Sequence, residues 1–153
     1  MPRAEERTIN TQLPDFEAPV IKTYSLESTI AEKFDAILQR YELTGRMKDF
    51  YDIYYLARTF DFDGAKLQNA IFETLQRRGT SYDRNSFKRV ISLADDVDMQ
   101  KRWKYFLKNI KDDTLEFSVV IQEIQKFLEP VFNAMVDEEE WQKQWLCAQQ
   151  KWS

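Results

Sequence analysis

An all-α fold, a multi-helix bundle, is what this sequence predicts, and three observations point to it. Apolar residues recur at spacings of three and four along most of the chain. Only three glycines and four prolines interrupt 153 residues, which favours long helices over tight turns. The composition, 43% apolar and 31% charged, is globular, and a chain of this length buries a core without a metal or disulfide staple. The length suits one domain. It reads as an extended segment (1–24), a helical domain (25–136) and a C-terminal helix or tail (137–153) packing on the bundle.

Residues 1–24 carry Pro2, Pro14 and Pro19 and no helical period. Within them, 8–13 and 20–24 read as short extended segments, enough for a small N-terminal β-ribbon. The first helix starts after Ser25, a suitable N-cap, with Glu27 in its first turn. Ile30, Phe34, Ile37, Leu38 and Tyr41 form its core stripe, and Thr44-Gly45 ends it. The second helix runs from about Met47 to Thr59 with Phe50, Ile53, Tyr54, Ala57 and Phe60 inward; the short connection predicts an antiparallel hairpin. A third helix covers 64–78, with Leu67, Ile71 and Leu75 inward and Gly79 as its C′ stop. After a polar loop, a short helix covers 86–95 (Phe87, Val90, Ile91, Ala94) and another 98–110 (Trp103, Phe106, Leu107, Ile110). A turn at 111–114 leads to a long helix capped by Ser118 and carrying Val120 to Phe132, where Pro130 predicts a kink or break. Asp137 and Glu140 have capping-box-like spacing for a last helix bearing Trp141, Trp145 and Leu146.

Composition excludes much chemistry. With no histidine, imidazole bases, histidine triads and histidine metal sites are out. The single cysteine, Cys147, makes no intrachain disulfide and points to a reducing compartment, the cytoplasm. The N-terminus has no apolar signal-peptide core, and no apolar run is long enough to span a membrane. A net charge of −4 and a pI near 5.0 give no general attraction to nucleic acid, leaving only a local basic patch as a route to it.

The charges at the core margins are the informative ones. On a helical wheel Lys33 lies roughly 80° from the centre of the first helix's stripe, and Arg40 falls on the same edge. Asp49 holds a similar place on the second helix, with Asp52 its i+3 neighbour. If the two helices pack together, an ammonium and two carboxylates meet in one groove. Two readings stand. In one, Lys33 snorkels to an acid as a boundary salt bridge. In the other, Lys33 with Arg40 or Arg46 holds phosphates while a carboxylate positions a nucleophile or a metal.

The wording of this stretch goes further than its spacing. YSLESTIAEKFDAILQR, with Ile30-Ala31-Glu32-Lys33, and RMKDFYDIYYLAR, with Arg46 to Tyr54, resemble the C-terminal half of the abortive-infection nucleotidyltransferases (AbiEii/AbiGii type), toxins of bacterial toxin–antitoxin systems. The specific part covers about residues 20–58; residues 117–130 resemble the family's closing helix more weakly. The resemblance implies transfer of a nucleotide from a nucleoside triphosphate to an acceptor, in some members tRNA. It implies that Lys33 holds triphosphate oxygens, that Asp49 is the essential late carboxylate with Asp52 as site or support, and that Arg46 contacts phosphate or anchors the aspartates. Tyr51 and Tyr54 are expected to pack rather than stack on a base.

The sequence also departs from the family pattern. Members carry an upstream glycine-serine segment followed by an Asp-x-Asp pair that binds divalent ions in the two-metal manner. Here the Asp-x-Asp sequences, DFD at 61–63 and DVD at 96–98, follow the lysine motif and are expected to be solvated or capping acids. Too few residues precede Tyr24 for the nucleotidyltransferase sheet. The expectation is a helical part of such a toxin with half a site, inactive alone, using magnesium and a nucleoside triphosphate only when the N-terminal core is supplied. Its partners would be a nucleoside triphosphate, an antitoxin, an N-terminal nucleotidyltransferase chain or a second copy.

Two alternatives remain. One is a non-catalytic helical module that binds an antitoxin or partner chain, with Trp141 and Trp145 as an anchor patch if exposed, against a tail folded back onto the bundle. The other is an unrelated enzyme using Cys147 or the aspartates.

Overall fold

The computed structural model describes residues 25–40, 47–110 and 114–153, with Arg40 as backbone alone. The ribbon expected at 8–13 and 20–24, Tyr41, the Thr44-Gly45 break and most of the 111–114 turn lie outside the described residues. Six α-helices make up most of what is described: α1 (Leu26–Arg40), α2 (Met47–Thr59), α3 (Gly64–Arg78), α4 (Ser86–Ser92), α5 (Val97–Ile110) and α6 (Phe117–Val136). A 3₁₀ turn (Leu93–Asp95) joins α4 to α5. The fold is mostly α, as the apolar periodicity predicts.

The helix ends follow local chemistry. The Ser25 hydroxyl accepts from the Ser28 amide at 3.1 Å and caps α1. Asp63 accepts from the amides of Ala65 and Lys66 and caps α3. Gly79 ends α3 at φ 65°, donating back to Leu75 and Gln76, a left-handed C′ position that glycine takes without steric cost.

The core is built on α6, which packs against α2, α3, α4 and α5. Its Val120, Ile124, Phe127, Leu128, Val131 and Phe132 are buried. Rings interlock around it: Phe34 of α1, Phe87 of α4 and Phe132 lie 5.6–5.9 Å apart between centroids. On α2's side, Phe50 meets Phe117 edge-on at 5.2 Å. Helix α1 packs on α2 and, more broadly, on α3. There the Thr80 hydroxyl donates to the buried Asp35, and Arg77 and Arg78 pair with Glu32.

Three expectations for the C-terminal half are corrected. Ser118 lies inside α6; the N-cap is Glu116, whose backbone is extended (φ −89°, ψ 146°) and whose side chain makes no capping bond. Pro130 does not break α6, which continues to Val136. A mid-helix proline costs ~3 kcal/mol, but Phe127, Leu128, Val131 and Phe132 around it are fully buried, each gaining about 1.5–3 kcal/mol. No helix forms after Asp137. Instead the strands β2 (Gln144–Leu146) and β3 (Lys151–Trp152) fold back as a hairpin onto β1 (Phe62–Asp63), the link between α2 and α3. The sheet is antiparallel in the order β1-β2-β3, with Phe62 opposite Trp145 and Trp145 opposite Trp152.

This hairpin is tightly seated. Trp145 is fully buried, so it is no exposed anchor; its indole N–H donates to the Ala57 carbonyl at 2.7 Å. The Trp152 N–H reaches the Phe127 carbonyl at 3.0 Å. The Gly64 amide donates to the Lys143 carbonyl at 2.8 Å. A Cβ at Gly64 would meet that same carbonyl and come within 2.7 Å of Trp141 Cδ1. Gly64→Ala is therefore expected to destabilise by about 1–3 kcal/mol despite alanine's better helix propensity. Thermal melting should show a fall of roughly 2–4 °C for each kcal/mol; an unchanged or raised midpoint would contradict the close approach.

Candidate functional site

The site lies where α1 crosses the first turns of α2. Lys33 sits on α1 one residue before the buried Phe34, so its stem runs along the core edge. Its ammonium donates to Asp52 Oδ2 at 2.8 Å, and Asp49 Oδ1 lies 3.7 Å from the same nitrogen. The first contact is a charge-assisted hydrogen bond; the second is an ionic neighbour beyond hydrogen-bond range.

Burial differs among the three. The Lys33 side chain is 16% exposed, that of Asp49 5% and that of Asp52 0%. The carboxylates are not at the solvent margin of α2, where the wheel set them, but within its buried face beside Phe50, Ile53 and Leu56. Tyr54 and Phe60, expected inward, are only partly buried.

A fourth charge escaped the sequence reading. Lys48 Nζ lies 3.9 Å from Asp52 Oδ2 on the same helix. Its i,i+4 spacing to Asp52 was the available signal. Arg40 closes α1, but its side chain lies outside the described residues, as does all of Arg46. The structure thus brings Lys33, Asp49 and Asp52 together, adds Lys48, and describes no contact for the two arginines.

The neighbouring aromatics are packed. The Tyr51 ring lies 5.9–6.5 Å from those of Tyr54, Tyr55 and Phe106, and the Arg58 guanidinium sits 5.4 Å over Tyr54. Three of the four Asp-x-Asp acids work locally: Asp63 caps α3, Asp61 accepts from the Cys147 amide at 2.9 Å, and Asp96 accepts from the Met99 amide at 3.0 Å, while Asp98 is exposed. Burial, then hydrogen bonding and charge from Asp61, hold the Cys147 thiol above its usual range, which suppresses the thiolate.

The family pattern implies a divalent metal, and the donor set here does not fit one. Asp49 and Asp52 already face an ammonium, and no cluster of three or more Asp, Glu or Cys among the described residues is placed to hold a metal ion. No chemical step is therefore assigned through a metal at this site. Neither the hollow beside Pro130 and Trp141 nor that beside Trp103 and Phe117 includes Lys33. Among the described residues no helix is long and apolar enough to cross a membrane.

A family model described as the nucleotidyl transferase AbiEii toxin of type IV toxin–antitoxin systems matches residues 1–143. No curated protein and no solved structure matches the chain. The match extends well beyond the lysine and aspartate helices, through α3 to α6 and into the turn after them. On that breadth, this chain belongs to the AbiEii nucleotidyltransferase toxin family of toxin–antitoxin systems.

Proposed function

We propose that this chain carries the triphosphate-holding half of a nucleotidyltransferase toxin site, with Lys33 as the phosphate-contacting cation. The observation that supports this most directly is the meeting of Lys33 with Asp49 and Asp52 across two helices, at 3.7 and 2.8 Å. An ammonium has three N–H donors and no acceptor. In this reading Asp52, fully buried, orients it from below. Asp49, the more exposed and the more distant, is the carboxylate that works on the reacting nucleotide or its acceptor. Asp52 is then a positioning residue. Arg40 and Arg46 would add phosphate contacts.

The metal-binding acids of nucleotidyl transfer are assigned to a glycine-serine and Asp-x-Asp segment, which these 153 residues do not contain. The chain tested alone is therefore expected to bind a nucleoside triphosphate without transferring it. The toxin would act in the cytoplasm, held in check by an antitoxin.

Isothermal titration with each of the four nucleoside triphosphates, with and without magnesium, tests the reading. Saturable binding is expected. It should weaken about tenfold or more in Lys33→Met/Asp52→Asn, which removes both members of the closer pair, while Asp49, 3.7 Å from the same ammonium, loses Lys33 as a neighbour. Equal binding by that variant and the native chain would refute the role of Lys33. Labelling of RNA by the chain alone would refute the divided site.

The alternative, a non-catalytic interaction module, is favoured by one observation: Lys33 and Asp52 already satisfy each other at 2.8 Å, as a purely structural pair would. No triphosphate binding by the native chain would decide for it.

A further inference from the structure

We propose that the exposed face of α5 is a docking surface for a single strand of nucleic acid. The chain as a whole is acidic, yet α5 presents Lys101, Lys104 and Lys108 on one side, all exposed. They lie at i, i+3 and i+7, along about 10 Å of helix. None of the three has a carboxylate in ion-pair range among the described residues. Between them stands Tyr105, 71% exposed, the most exposed large hydrophobic side chain among the described residues. The Lys108 ammonium lies 5.9 Å from its ring centroid.

An aromatic flanked by cations on a solvent-facing stripe fits a stacked base between phosphates. A single strand offers such a base; a duplex hides its base faces in the stack. Beside the stripe, Lys104 also lines an open hollow of about 460 Å³, with Trp103, Leu107 and Phe117 as its apolar floor and Gln100 and Glu116 at the rim. That is room for one more base.

The inner side of α5 rests on α2, where Phe106 meets Tyr51 at 5.9 Å, so the lysine stripe faces away from that contact. Asp98 shares the exposed face and opposes binding. The inference does not depend on Lys33 holding a nucleotide.

The test is fluorescence anisotropy of a short labelled RNA of mixed sequence, single-stranded and as a blunt duplex, over a salt series. The native chain should bind the single strand more tightly. Lys101→Glu/Lys108→Glu should weaken binding at least tenfold and lower the salt slope by roughly 1.4, at about 0.7 per phosphate for a single strand. Tyr105→Ala should weaken it about fivefold or more with the slope unchanged. Asp98→Asn should tighten it, a gain that misfolding cannot imitate. All these variants should titrate with nucleoside triphosphate as the native chain does, which separates this surface from the Lys33 site. Unaltered RNA binding by Lys101→Glu/Lys108→Glu would overturn the proposal, as would tighter binding of the duplex. Equal competition by polyglutamate would also overturn it, assigning the face to an acidic protein.

Discussion

Trp145→Ala is expected to cost about 3–5 kcal/mol, the range for emptying a large buried aromatic site. The side chain is fully buried. Its ring lies 4.9 Å from that of Phe127 and 5.5 Å from that of Trp152, so truncation removes the centre of the aromatic cluster. It also removes the N–H that serves the Ala57 carbonyl at the end of α2. Against a total stability of about 5–15 kcal/mol, the loss should be plain in urea denaturation. Trp145→Phe separates the two contributions: it keeps most of the packing and loses the hydrogen bond, for about 1–2 kcal/mol. A loss below 1 kcal/mol for Trp145→Ala would mean that the hairpin does not hold the helices.

Lys33→Met is the second large effect, a loss of roughly 2–4 kcal/mol. Removing one member of a buried ion pair strands the other, which typically costs about 3–5 kcal/mol. The expected loss is smaller because Lys33 is itself partly exposed and Lys48 lies 3.9 Å from Asp52. Asp52→Asn in the Lys33→Met background should recover part of the loss, since the more deeply buried of the two charges beside Lys33 disappears while Asp49 stays. Chemical denaturation of the native chain, both single variants and the double variant gives the coupling energy directly. Additive losses would show that the two groups do not sense each other.

Much of the helical frame was legible because its signals are local. Ser25 and Gly79 mark their helix ends by chemistry acting within a turn, and Met47–Thr59 and Gly64–Arg78 match the apolar period. The failures share a different origin. Trp141 and Trp145 are spaced like one helical face, yet Trp145 pairs with Phe62, far back in the chain, and no local pattern encodes that register. Pro130 predicts a kink or break because its cost is local, whereas the burial around it that prevents the break comes from other helices.

The candidate site was legible in a similar measure. Lys33, Asp49 and Asp52 were found from their unexpected places on two apolar stripes and from the wording around them. The depth of Asp52 was not, since a wheel ranks positions on one helix and says nothing of how far a neighbour overlaps it. Lys48 was passed over because it looked like an ordinary exposed lysine at the start of a helix, and it is about half exposed.

The bond from Trp145 to Ala57 spans 88 residues. A ribosome adding about 5–20 residues per second makes the acceptor roughly 4–18 s before the donor exists. During that interval the carbonyl at the end of α2 has water in place of its indole partner, and β1 has no strand beside it. The last turn of the helix that bears both aspartates thus acquires its final clamp late in translation, so nascent chains should show weaker amide protection there than finished ones.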